Sequence, residues 1–161
     1  MERAYLSLGS NVEPVKNLSS AIAALRARFG DVQVSAAYRF PAVGFEGADF
    51  VNLAAVIETD LPAPALNAWL HALEDRHGRR RDVPRFSDRT LDIDIVLYGA
   101  HVLKGDGNLQ VPRDELKHAF VLRPLAEIAP DAVVPTRHLS LQQLWQQHVD
   151  HGREFDRVAL D

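Results

Sequence analysis

Six consecutive segments of this 161-residue chain alternate between strand-like and helix-like hydrophobic patterning, and their order leaves few folds open. Residues 4–8 form a short apolar run ending at Gly9-Ser10-Asn11, which reads as a strand and a tight turn. Val15, Leu18, Ile22, Leu25 and Phe29 then recur at helical spacing, with Gly30 as a stop. Residues 32–38 alternate between apolar and polar. After a Pro/Gly-rich loop over 41–49, residues 50–59 are strongly apolar and rich in β-branched side chains. Ala65, Leu66, Trp69, Leu70 and Leu73 form a second helical stripe that ends near Gly78. Leu91, Ile93, Ile95, Val96 and Leu97 mark a last strand. The order βαββαβ predicts an α+β fold of the ferredoxin-like kind. In it two helices cover one face of an antiparallel sheet and leave the other face partly open.

Past Tyr98 the pattern thins. Val111-Pro112 closes a short strand, residues 119–129 form an apolar helix halted at Pro130, and Ser140 begins a last short helix carrying Leu141, Leu144, Trp145 and His148. With no repeat or linker, residues 1–161 are expected to form a single domain with a C-terminal extension. The length suffices to bury roughly 68–70% of the unfolded surface.

Charge narrows the function. The net charge of −4 argues against a nucleic-acid partner, which needs an extended basic face. Positive charge is local instead: six of the 15 arginines fall between Arg76 and Arg89. No cysteine is present, so disulfides and thiolate chemistry are excluded. No apolar run approaches the roughly 18 residues a membrane helix needs, and the first residues carry no secretory apolar region. A cytoplasmic protein with no membrane partner is expected.

The arginine cluster runs directly into the last strand, GRRRDVPRFSDRTLDID, from Gly78 to Asp94. Arg79, Arg80, Arg81, Arg85 and Arg89 offer permanently charged, planar donors suited to phosphate oxygens. Asp92 and Asp94, two apart on a strand, share a face with Cα atoms about 6.5–7 Å apart. Paired carboxylates suit magnesium, which prefers oxygen ligands and substrate phosphates to an all-protein cage. Such a clamp beside a metal pair is what transfer of a polyphosphate group requires. The bland alternative is a solvated loop followed by a strand edge facing water. Glu74, one turn before Gly78, touches a cation, pairs with an arginine, or sits in a surface salt bridge. Phe50 and Phe120 read first as core residues. His148 and His151 have metal-like spacing but no evident third ligand, and a solvated segment is the simpler reading. No phosphate-binding G-x-x-x-x-G-K-[ST] loop occurs.

Four motifs in order, AYLSLGSN, YRFPAVG with DFVN, GRRR…RFSDRTLDIDIVLY and VPRDELKHAFVLRPLAEIAPD, span residues 4–134. Together they resemble the 6-hydroxymethyl-7,8-dihydropterin pyrophosphokinases of folate biosynthesis. The resemblance implies the same ferredoxin-like core and transfer of pyrophosphate from ATP to the pterin's hydroxymethyl group, with AMP leaving. It implies that Asp92 and Asp94 bind two Mg2+ ions bridging the ATP phosphates. Arg79 and Arg89 match catalytic arginines that close over the triphosphate, while Glu74, Arg81 and Arg85 match further nucleotide-side positions. Phe50 and Phe120 match aromatic residues stacking on opposite faces of the pterin. Asn52 matches a residue bonding the pterin edge, beside the backbone of Ala42 and Val43. The implied partners are the small molecules ATP and a dihydropterin, and a monomer is expected. Four departures stand out: Phe86-Ser87-Asp88 for a common Trp-Gly-Pro, Arg113 for a histidine, His118 for an arginine and Phe40 for a threonine. A non-catalytic pterin- or nucleotide-binding paralogue is the competing reading.

Overall fold

The computed structural model describes residues 1–41, 47–78 and 90–160. Its main sheet contains β1 (Glu2–Ser10), β2 (Gln33–Val34), β3 (Ala37–Phe40), β4 (Phe50–Thr59), β5 (Asp92–Tyr98) and β10 (Arg157–Val158). The strands lie in the order β10-β3-β4-β1-β5, with β2 also paired to β4, and every pairing is antiparallel. Two helices follow the first and fourth strands, α1 (Pro14–Phe29) and α2 (Ala63–Arg76). α1 starts with Pro14, whose fixed φ suits a first helical position, and ends at Gly30 with φ 80°, which an L side chain rarely adopts.

The helical stripes face the sheet. Leu18, Ile22 and Leu25 of α1 and Leu66, Leu70 and Leu73 of α2 are buried with Leu6, Leu8, Leu53, Ile93 and Ile95. Each such side chain contributes about 1.5–3 kcal/mol on burial. Val15, assigned to the stripe by spacing, is exposed instead.

The opposite face is covered further than the alternation implies. α3 (Ala119–Ile128) and α4 (Leu141–Gln146) pack Val121, Leu122, Leu125, Leu141 and Leu144 against Ala54, Val96 and Leu97. β4 carried the clue. Val51, Leu53, Ala54, Ala55, Val56 and Ile57 are all buried, so this strand has apolar neighbours on both faces. α4 is held at its start by a reciprocal cap: Gln143 N donates to Ser140 Oγ (3.1 Å), and Ser140 N donates to Gln143 Oε1 (2.9 Å).

Two further details depart from the sequence reading. The alternating run over 32–38 is broken between β2 and β3, where the register against β4 shifts by one residue. Ser35 repairs the gap, its hydroxyl accepting from Ala54 N (2.9 Å) while Ser35 N donates to Ala54 O (2.9 Å). Gly9 and Ser10 are not a tight turn. Their ladder continues, so β1 runs through both. The short hairpin of β6 (Leu103–Lys104) and β7 (Gln110–Val111) follows β5. A second, β8 (Val133–Val134) with β9 (Leu139–Ser140), precedes α4.

Candidate active site

β1 lies between β4 and β5, and its end organises the site. Gly9 pairs with Asn52 of β4 on one side and Asp92 of β5 on the other. The position is crowded. A Cβ on Gly9 would lie 2.6 Å from Asn52 Nδ2 and 3.7 Å from the Phe50 ring. Gly9 therefore lets the Asn52 side chain lie close against β1, between the aromatic and acidic parts of the site.

On the acidic side, alternation along β5 sends Ile93 and Ile95 into the core under α1 and α2 and turns Asp92 and Asp94 to the other face. Asp92 is half-buried and Asp94 buried. Glu74 is not on the surface. It is 1% exposed, and its Oε2 accepts from Ile93 N (2.7 Å), tying α2 to the backbone between the two aspartates. Arg113, noted from sequence only as a departure, reaches the same place. Its N–H donates to Val96 O (3.0 Å), which aligns the segment with β5. Its guanidinium then lies 3.6 Å from Asp94 Oδ1 and 2.9 Å from Glu115 Oε1. Asn108 donates to Asp94 Oδ1 (2.9 Å), and Asn67 of α2 donates to Asn108 Oδ1 (3.3 Å).

The electrostatics follow from this crowding. Burial first, then the Asp92 carboxylate, pushes the Asp94 carboxyl well above its usual range; Arg113 opposes, while Glu115 and Glu74 add to the rise. Burial also works against the charge on Arg113, but Asp94 and Glu115 outweigh it and the guanidinium is held above its ordinary value. A cluster of carboxylates with one guanidinium among the described residues suits a divalent cation. Asp92 and Asp94 could supply hard oxygen donors to Mg2+. Among the described residues no three His, Asp or Glu side chains are grouped to hold an ion alone, so phosphate and water oxygens would complete its shell.

The aromatic side is built by packing. Phe40 and Phe50 are cross-strand partners and so share a face. Phe40, 3% exposed, meets Phe120 edge-on (6.4 Å between centroids, 66°) and Phe155 (4.6 Å). It is thus the support on which Phe120 rests, and it brings Phe120 to the side of the sheet that carries Phe50. His118 stacks on Phe120 (5.0 Å, 12°). Burial and the neighbouring Lys117 hold the His118 imidazole below its ordinary pKa. Phe50 and Phe120 keep partly exposed surface. Asn52 is buried, and its Oδ1 has no hydrogen-bond partner among the described residues. An acceptor left in this state marks a place where a ligand donor would be favourable.

The structure thus brings Asp92, Asp94 and Glu74 together and puts Phe50, Asn52 and Phe120 on the adjoining side. Ala42, Val43, Arg79, Arg81, Arg85 and Arg89, with Phe86, Ser87 and Asp88, lie outside the described residues. Sequence reasoning missed Asn67, Asn108 and Glu115. In Gly105-Asp106-Gly107-Asn108, asparagine looks like ordinary turn chemistry. His148 and His151 are engaged elsewhere, His148 at Lys117 O (2.7 Å) and Asp150 N (3.0 Å), His151 edge-on to Trp145. No helix among the described residues is long and apolar enough to cross a membrane.

Comparison with known proteins agrees with this layout. Residues 5–130 match the family model of 7,8-dihydro-6-hydroxymethylpterin-pyrophosphokinase. The chain is 36% identical over 156 residues to the 2-amino-4-hydroxy-6-hydroxymethyldihydropteridine pyrophosphokinase of Haemophilus influenzae, covering 94% of this chain and 96% of that protein. It is 40% identical over 146 residues to the enzyme of the same name from Pseudomonas aeruginosa, covering 86% and 88%. Among solved structures, Plasmodium falciparum HPPK-DHPS superposes with a TM-score of 0.73 at 14% identity. That match covers 98% of this chain but 47% of the Plasmodium chain, so this protein spans about half of it, and the likeness speaks to the fold alone. By the family match and by identity over nearly its whole length, the chain belongs to the 7,8-dihydro-6-hydroxymethylpterin pyrophosphokinase family.

Proposed function

We propose that this protein transfers pyrophosphate from ATP to the hydroxymethyl oxygen of 6-hydroxymethyl-7,8-dihydropterin in folate biosynthesis, with the described residues dividing the work as follows. The hydroxymethyl oxygen attacks the β-phosphorus, the bond from that phosphorus to the AMP oxygen breaks, and the hydroxyl proton passes to water. AMP and the pterin pyrophosphate are the products. Asp92 and Asp94 would hold two Mg2+ ions, which would supply positive charge to the phosphates during transfer. Glu74 steadies the strand that carries them. Phe50 and Phe120 sandwich the heterocycle, and Asn52 Oδ1 accepts from its edge. Arg79, Arg81, Arg85 and Arg89, outside the described residues, would serve the triphosphate as the family resemblance implies.

The observation that carries this reading is the junction at Gly9, where a buried amide oxygen without a partner among the described residues adjoins half-buried Asp92 and, two residues on, buried Asp94. The strand order β3-β4-β1-β5 with α1 and α2 on one face supports a ferredoxin-like core, to which the C-terminal strand β10 is an addition. The continuous pairing from β10 to β5 supports one domain over residues 1–161. We read the protein as a cytoplasmic monomer. Incubation with Mg-ATP and the dihydropterin, followed by chromatography, tests the reaction. AMP formed in step with pterin pyrophosphate is the expected result. ADP in its place, or pterin binding without turnover, overturns it.

A further inference from the structure

The hairpin between β6 and β7 ends in a residue to which the reaction as proposed gives no part. Asn108 follows Gly107, whose φ of 67° suits a turn, and precedes Leu109, which is 3% exposed and seats the hairpin in the core. Gly105 N donates to Leu109 O (3.0 Å), closing the turn. From this fixed base Asn108 makes three polar contacts. Its Oδ1 accepts from Asn67 Nδ2 (3.3 Å), its backbone O accepts from Arg113 Nη1 (2.8 Å), and its Nδ2 donates to Asp94 Oδ1 (2.9 Å).

Its two partners orient the amide. In the hydrogen-bond network Asn108 Oδ1 accepts from Asn67 Nδ2 and Nδ2 donates to Asp94 Oδ1. Arg113 approaches the same Asp94 oxygen, Oδ1, at 3.6 Å. Among the described residues, both polar contacts of the Asp94 carboxylate therefore fall on one oxygen. We infer that Asn108 is a positioning residue for Asp94, fixing Oδ1 so that Oδ2 is the oxygen presented to a divalent cation. The arrangement is the hydrogen-bonded outer support that orients a ligating carboxylate. It spans α2, the hairpin and β5, so helix packing and metal geometry are joined through one exposed side chain. The inference rests on the reading of Asp94 as a metal ligand.

Its test separates the two. Mn2+ is titrated into the protein holding a non-hydrolysable ATP analogue, and free Mn2+ is read by electron paramagnetic resonance. The wild type is compared with Asn108→Ala, Asn108→Gln and Asp94→Asn. Asn108→Ala is expected to weaken Mn2+ binding about 10-fold, the lower end for loss of a ligand's supporting hydrogen bond. Asn108→Gln, which keeps donor and acceptor, is expected to recover most of that loss. Thermal midpoints of both are expected within about 3 °C of wild type, since the side chain is exposed. An Asn108→Ala protein that binds Mn2+ as wild type, while Asp94→Asn does not, overturns the positioning role and leaves Asp94 as a ligand. Unchanged binding in Asp94→Asn overturns both. An Asn108→Gln protein as weak as Asn108→Ala also overturns the positioning role, because the donor is then not what matters.

Discussion

The acidic and aromatic halves of the site flank one glycine, yet they are held by different physics. Around Asp94 each neighbour is fixed by a directional contact: Asn108 at 2.9 Å, Arg113 at 3.6 Å, and Glu74 on the adjoining Ile93 amide at 2.7 Å. Around Phe120 the constraints are ring packings with Phe40 and His118, and the buried Asn52 Oδ1 has no partner among the described residues. A half that must place metal-bound phosphates needs atoms fixed in direction. A half that must accept a flat heterocycle needs a slot of the right width and one unsatisfied acceptor. The difference predicts that substitutions on the acidic side act through geometry and charge, and those on the aromatic side through affinity.

The largest effect is expected from Asp94→Asn. Halving the charge of the metal pair should lower kcat/KM by about 10³-fold or more. Pterin affinity, measured by fluorescence titration, should change little. A parallel loss of pterin binding would break the proposed division. Next comes Glu74→Ala, which strands the buried Ile93 N–H and removes a charge-assisted bond. It should cost about 2 kcal/mol in urea unfolding, with Glu74→Gln costing less. Equal stability in all three proteins would show that Glu74 is not the tie between α2 and β5.

Gly9→Ala tests the boundary itself. The new Cβ displaces the Asn52 amide rather than backbone, so the fold should survive while pterin affinity falls about 10-fold, or 1.4 kcal/mol. Analogue binding in the absence of pterin should be preserved. Phe120→Leu should weaken pterin binding by about 3- to 10-fold, the worth of one aromatic contact. The smallest effect concerns pH. Because the folded His118 pKa is lowered, the unfolded chain binds the proton first as pH falls. This contribution to stability is intact above the unfolded pKa of about 6.5 and is lost as pH falls below it toward the folded value. His118→Phe keeps the stacking and should flatten that part of the stability–pH curve, read from thermal midpoints between pH 7 and 5.

Much of this was legible in the chain. β4 runs over the residues its composition marked, α1 stops at Gly30, and Ser140 caps α4 as its position suggested. These features are local: periodicity, a residue that tolerates positive φ, and a hydroxyl beside orphan amides. Asp92 and Asp94 were legible for the same reason, since two residues apart on a strand fixes their common face. The break at Ser35 was not legible. Nothing in Val-Ser-Ala-Ala distinguishes a repaired bulge from a continuous strand until Ala54 lies opposite. Gly9 looked like a turn because its need for small size comes from Asn52, 43 positions along the chain.

The sequence by itself determined the order of elements, the acidic pair and the aromatic candidates, because each depends on spacing along a few residues. Tertiary structure decided which partners those groups meet. It buried Glu74 beneath Ile93, turned Arg113 from a departure in the family pattern into the counter-charge of Asp94, and made Asn108 its support. Those outcomes depend on contacts between residues far apart in sequence, where neither burial nor the sign of a neighbouring charge is written in local pattern.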